Sequence, residues 1–261
     1  MQRQWMMGVI VIGLISGTTG MSAETNILAK EGDRKLEKIA PLADNHSEKT
    51  YFEVQYANRA VGVGILSLKA HREQEKLVYE YEHDVRIKMP NGLVMILNIQ
   101  ATLTPKYRPL AIDVQRSVTL PDGQTFNGSQ AVTVEQTRIV TVSNEGGIKN
   151  TREVPLPATD FIYGVDALIG HLDFKNQKKD FVFRHLDLES GQPTELHFHW
   201  TVNQSRKEQL NVSKDGGKTM DEFFLFEWSG EMVGYGKMEP PFVEVKSNES
   251  RYNEVKKLLD L

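Results

Sequence analysis

From Lys49 to Lys246 the chain alternates apolar and polar residues with a period of two, interrupted at short intervals by turn residues. That pattern predicts an all-β domain. The apolar faces set the hairpin registers, because a slip of one residue turns every side chain to the other face. Phe52, Val54 and Tyr56 share one face, and Val61, Val63 and Ile65 share the next. A four-residue loop, ANRA, would then pair Tyr56 with Val61, Val54 with Val63 and Phe52 with Ile65. Tyr79, Tyr81, His83, Val85, Ile87 and Met89 form one face of the following strand, and Leu93, Met95, Leu97 and Ile99 answer it. With Pro90-Asn91-Gly92 as a three-residue loop and Gly92 at positive φ, Ile87 stands opposite Met95 and Val85 opposite Leu97. His83 sits among apolar neighbours and reads as a satisfied core histidine, not a ligand. Further strands are expected at 110–120, 130–142 and about 148–154, with turns at PDGQ (121–124) and NEGG (144–147). Gly62 and Gly64 mark a bend or a close approach in their strand. Gly234 and Gly236 repeat that shape in FFLFEWSGEMVGYG, where Trp228 would pair with Val233 and Phe226 with Tyr235.

Two stretches follow a helical period instead. In ATDFIYGVDALIGHL, 158–172, Phe161, Val165, Leu168 and Ile169 fall on one stripe, Thr159 or Asp160 could cap it, and Gly170 could end it. In ESRYNEVKKLLDL, 249–261, Tyr252, Val255, Leu258 and Leu259 form a stripe. The N-terminal 23 residues carry Arg3, an apolar run from Trp5 to Ile15 and then small residues, the pattern of a secretory signal peptide. That run is too short to span a bilayer comfortably, so no transmembrane segment is expected after cleavage; a retained N-terminal anchor is the alternative. The charged stretch 24–48 reads as a linker with at most one helical turn near Leu36 and Ile39. The expected organisation is therefore signal peptide 1–23, charged linker 24–48, β domain 49–246 and C-terminal helix or tail 247–261.

Composition narrows the chemistry. There is no cysteine, which removes thiol nucleophiles, thiolate metal sites and disulfides together. The formal net charge of −4, without a long basic run, argues against a nucleic-acid partner. No G-x-S-x-G elbow is present, and GGKT (216–219) lacks the first glycine of a phosphate loop and reads as a hairpin turn.

The most suggestive motif is TELHFHW, 194–200. On a strand, His197 and His199 face the same way, about 7 Å apart, and could share a metal if a third ligand converged. His185, on FVFRHLDL, is the nearest candidate. Matching apolar faces pairs Phe183 with Phe198 and Phe181 with Trp200, which leaves His185 opposite Leu196 and away from both histidines. Slipping the register by one would expose several large side chains at roughly 1.5–3 kcal/mol each. HFHW therefore reads as a strand with a polar outer face, and no metal, cofactor or catalytic residue is assigned.

The segments YFEVQYANRAVGVG, VPLPATDFIYGVDALI, FRHLDLESGQPTELHF and FFLFEWSGEMVGYGKMEPP, in that order, resemble uncharacterised β-rich bacterial envelope proteins. These are distantly similar to the lipoprotein-carrier type and to the non-catalytic region that precedes the catalytic domain of some secreted transglutaminase-like proteins. The resemblance spans roughly residues 50–246 and implies a periplasmic or secreted bacterial β domain without catalytic residues.

The expected fold is mainly β: a single antiparallel, strongly curved sheet or open barrel, with a short helix (about 158–169) on its concave side and a C-terminal helix; a flat two-sheet sandwich is the alternative. The expected function is non-enzymatic. It is the binding of an apolar ligand (an acyl chain or lipid) or of an envelope partner protein, with Tyr79, Tyr81, Leu97, Phe161, Phe226 and Trp228 lining the site. The alternative is an envelope hydrolase, metal-assisted through His197 and His199.

Overall fold

The structure is a computed structural model that describes residues 23–172, 174, 179–202, 208–214, 220–227, 229–238 and 241–261. The expected signal peptide, Trp228 and GGKT lie outside these residues, apart from Ala23. Among these residues a single antiparallel sheet of 14 strands dominates, and three helices pack on it. Two meanders meet at one seam. The first runs β1 (Ser47–Tyr56), β2 (Arg59–Glu73), β3 (Lys76–Lys88), β4 (Val94–Leu103), β5 (Pro109–Thr119), β6 (Thr125–Val134), β7 (Arg138–Glu145) and β8 (Ile148–Pro155). The second runs β9 (Phe181–Asp187), β10 (Gln192–Val202), β11 (Glu208–Ser213), β12 (Glu222–Phe226), β13 (Met232–Lys237) and β14 (Phe242–Ser247). β14 pairs with β1, setting Val54 opposite Glu244, so the sheet order is β8 to β1, then β14 back to β9. The sheet curls without β8 and β9 pairing, as expected for an open barrel.

The registers follow the sequence in part. Ile87 faces Met95 and Val85 faces Leu97, around a turn with Gly92 at φ 86°. The first hairpin differs. Ala57 and Asn58 both take positive φ (49° and 61°), which makes a two-residue turn whose twist matches the strands. Tyr56 then pairs with Arg59, a bulge follows, and Val54 and Phe52 stand opposite Gly62 and Gly64. Val61 stays inside, while Val63 and Ile65 turn outward under the C-terminal helix. The expected strand 130–142 is two strands, because the chain turns at 135–137. In β9–β10 the apolar faces still meet, but two residues out of the expected register: Phe183 faces Leu196, Phe181 faces Phe198 and His185 faces Thr194. In β12–β13, Phe224, not Phe226, faces Tyr235, and Phe226 faces Met232 across a register shift. Apolar matching alone cannot separate registers two residues apart, since both keep the same face inside.

The helices close the fold. The charged stretch expected to be a linker is mostly α1 (Ala23–Glu37). It lies on edge strand β9, and a Cβ at Gly32 would collide with the Val182 carbonyl oxygen, so glycine permits the contact. Further along the same edge, Ile162 accepts from Leu186 N (3.0 Å) and donates to Arg184 O (2.8 Å). Both devices cover backbone groups that an edge strand would otherwise offer to other chains. The concave side holds α2 (Val165–His171), shorter than expected. Phe161–Tyr163 is extended, because Ile162 is committed to β9, and the helix starts only after Gly164 at φ 69°. Neither Thr159 nor Asp160 caps it, and Gly170 lies inside it. α3 (Glu249–Leu259) docks its Tyr252 and Val255 on Val63 from the outer side, capped by Asn248, with Arg251 bonded to Glu53 at 2.7 Å.

Candidate functional site

Strand β3 carries Tyr81 and His83 on its inner face, at the level where α2 enters the barrel. His83 Nδ1 lies 3.1 Å from Asp166 Oδ2, in the first turn of α2, and its Nε2 lies 3.0 Å from Glu244 Oε2, on β14. Tyr81 donates its hydroxyl to Asp166 at 2.8 Å, and the Ala167 amide donates to the same carboxylate at 3.0 Å. The three charged side chains are only 9%, 16% and 12% exposed. Two glycines make the room. A Cβ on Gly64 would stand 3.1 Å from Glu244 Oε2, and one on Gly164 would stand 3.3 Å from the Tyr81 ring.

The electrostatics follow from this packing. Burial works to lower the His83 pKa, but the Glu244 and Asp166 carboxylates outweigh it and hold His83 protonated to about 10. Burial works to raise Asp166, yet the hydrogen bond and charge of His83 and the Tyr81 hydroxyl pull it below its ordinary value. Burial and then the Asp166 charge push Tyr81 up, and burial and then Glu222 push Tyr235 up. Nearby, His185 stacks on Tyr163 at 5.3 Å, and burial, followed by the Lys214 charge, lowers it to about 4. At neutral pH one imidazole is therefore a clamped cation and the other a neutral ring. Clusters of perturbed groups are where functional sites are sought. Here, however, both nitrogens of His83 face carboxylates, so it has no lone pair with which to take a substrate proton. The arrangement fixes α2 to two strands of the wall.

Two apolar clusters flank this charged layer: the main core on the side of Tyr81, and a smaller one on the side of Val85. Val54, Val61, Val85 and Ile87 form its buried wall, and Tyr56, Met89, Met95, Leu97 and Phe242 are half-buried against them. Along the row that continues from Leu97, Arg116 pairs with Glu145 over Gly128, where a Cβ would meet both side chains. The polar outer face of β2–β6 carries an open trough of about 490 Å³, lined by Ser67, Glu82, Gln100 and Asp113 among others.

Of the residues expected to line a ligand site, Tyr79, Tyr81, Phe161 and Phe226 are at most 3% exposed and belong to the main core, with Leu168 and Ile169 of α2 and with Phe174. Leu97 packs against both the main core and the smaller cluster, and Trp228 lies outside the described residues. His197 and His199 point to the outer face and His185 to the inner one, beside Tyr163. His199 Nδ1 meets Asp180 at 2.5 Å, and His197 Nε2 lies 3.8 Å from Glu195. Among the described residues, no three His, Cys, Asp or Glu side chains are grouped to hold a metal ion. Asp166 and Glu244 were the residues that sequence reasoning missed. Their signal was a lone carboxylate within the apolar run VDALI and another two residues after Phe242 in β14.

No protein-family model matches the chain, and no curated protein matches it. Among solved structures, the chain is similar to a beta-barrel-like protein of the domain of unknown function DUF1849 from Brucella abortus, with 9% identity and a TM-score of 0.47, over 79% of this chain and 98% of that one.

Proposed function

We propose that the protein is a non-enzymatic component of the bacterial envelope that binds an apolar ligand, an acyl chain or lipid, at the mouth of its open barrel. The observation that carries this reading is the half-buried apolar set Tyr56, Met89, Met95, Leu97 and Phe242 around a buried aliphatic wall. Unbranched methionines suit a site that adapts to a flexible chain. The charged layer of His83, Asp166 and Glu244 forms the floor and keeps an apolar chain out of the main core. The envelope location rests on the leader-like N-terminus and on the resemblance of the segments to uncharacterised β-rich bacterial envelope proteins. The residues first expected to bind, Tyr79, Tyr81, Phe161 and Phe226, support the site from beneath by packing α2.

The test is titration with a fluorescent fatty acid beside native mass spectrometry of protein purified from the periplasm. Saturable binding, weakened in Met95→Glu and Leu97→Glu, is the expected result. Bare protein mass with no saturable binding leaves the second reading, recognition of an envelope partner protein.

A further inference from the structure

We infer that β8 is a self-complementary edge through which two copies of this chain pair, independently of what the mouth binds. β8 ends the sheet, and residues 148–153 are all exposed. Its backbone has a definite polarity. Gly146 and Gly147 both have positive φ (57° and 86°), so β7–β8 is a two-residue hairpin, and the flanking pair Glu145–Ile148 exchanges hydrogen bonds. Bonded and non-bonded pairs then alternate. Asn150 and Arg152 direct their N–H and C=O groups to β7, and Lys149, Thr151 and Glu153 direct theirs to the free edge.

A second β8 can pair antiparallel only in registers that set these three residues against each other. The one that uses all three places Thr151 on the two-fold axis, opposite Thr151 of the second copy. Lys149 then meets Glu153 of the second copy, and Glu153 meets its Lys149. Each such pair exchanges two backbone hydrogen bonds. On the other face Ile148, 68% exposed, meets Val154, and Asn150 meets Arg152. Charged residues on an edge normally repel a second strand. In this register both ion pairs attract, and symmetry makes each appear twice. Glu153 already faces Arg138 at 2.7 Å, so the approaching Lys149 joins an existing pair. Arg152 anchors the strand by donating to Glu189 O and Ser190 O, on the turn between β9 and β10, which holds the edge in place for pairing.

The contact is a single strand pair, so a reversible, concentration-dependent dimer is expected. Sedimentation equilibrium of the mature chain tests it, with amide hydrogen exchange at low and high concentration. The expected results are a dimer mass at high concentration and slowed exchange at the amides of Lys149, Thr151 and Glu153. Lys149→Glu sets like charges opposite each other at two places and should raise the dimer dissociation constant at least about tenfold. Adding Glu153→Lys should restore pairing. A monomer at every concentration, or a dimer indifferent to Lys149→Glu whose three edge amides exchange freely, overturns the inference.

Discussion

Replacing His83 with leucine keeps the volume near Leu66 and Ile99 but removes the cation between Asp166 and Glu244. Two carboxylates would then share a site that is 16% and 12% exposed. Breaking a buried pair from one side typically costs about 3–5 kcal/mol. Linkage gives a similar size: a histidine pKa raised from 6.5 to about 10 corresponds to a few kcal/mol at about 1.4 per unit. The sign is set by the direction of each shift. The raised His83 pKa contributes stability that is fully present below 6.5 and is lost as pH rises through about 10. The depressed Asp166 pKa contributes stability that is present above the ordinary carboxylate range and is lost as pH falls through its lowered value. Urea unfolding at pH 6 should therefore show the variant less stable by about 3–5 kcal/mol, and the gap should shrink near pH 10 because the native histidine also loses its charge. A gap under about 1 kcal/mol at pH 6, or one unchanged at pH 10, would refute the clamp.

Other substitutions probe the same frame. Phe198→Ala removes a ring stacked 4.5 Å from Phe181 and should cost about 3–5 kcal/mol in urea unfolding. His197→Ala with His199→Ala, on the outer face, should change stability by no more than about 1 kcal/mol, and stoichiometric zinc in the parent protein, lost in the variant, would contradict that placement. Gly32→Ala should push α1 off β9, seen as faster protease cleavage within 23–37 while the sheet keeps its hydrogen-exchange protection.

What the sequence made legible was local. The β3–β4 register followed from a matched apolar face and the Pro90-Asn91-Gly92 turn, and the C-terminal stripe of Tyr252 and Val255 found its place over Val63. The opposite facing of His185 and of the His197 and His199 pair survived a two-residue change of register, because parity alone decides faces. The β1–β2 register was misread because Ala57 and Asn58 are unremarkable letters until their positive φ is seen. α1 was hidden by its charge: its docking face includes a glycine and a buried lysine, Lys35, with its ammonium over Phe174 and Phe181, where an apolar stripe would be sought. The charged layer was out of reach because His83, Asp166 and Glu244 are far apart in the chain and meet only through the β1–β14 seam and the entry of α2.

Binding at the proposed mouth is tested most directly by the methionine methyl resonances of the intact protein during titration with a fatty acid. Met89 and Met95 pack against the smaller apolar cluster, whereas Met220 lies beside Gln209 and Met238 is 41% exposed beyond β13. The account predicts saturable shifts of the Met89 and Met95 methyls, with Met220 and Met238 unmoved. Unchanged methyls at Met89 and Met95 under conditions that saturate a known fatty-acid binder, or shifts confined to Met220 and Met238, would contradict it.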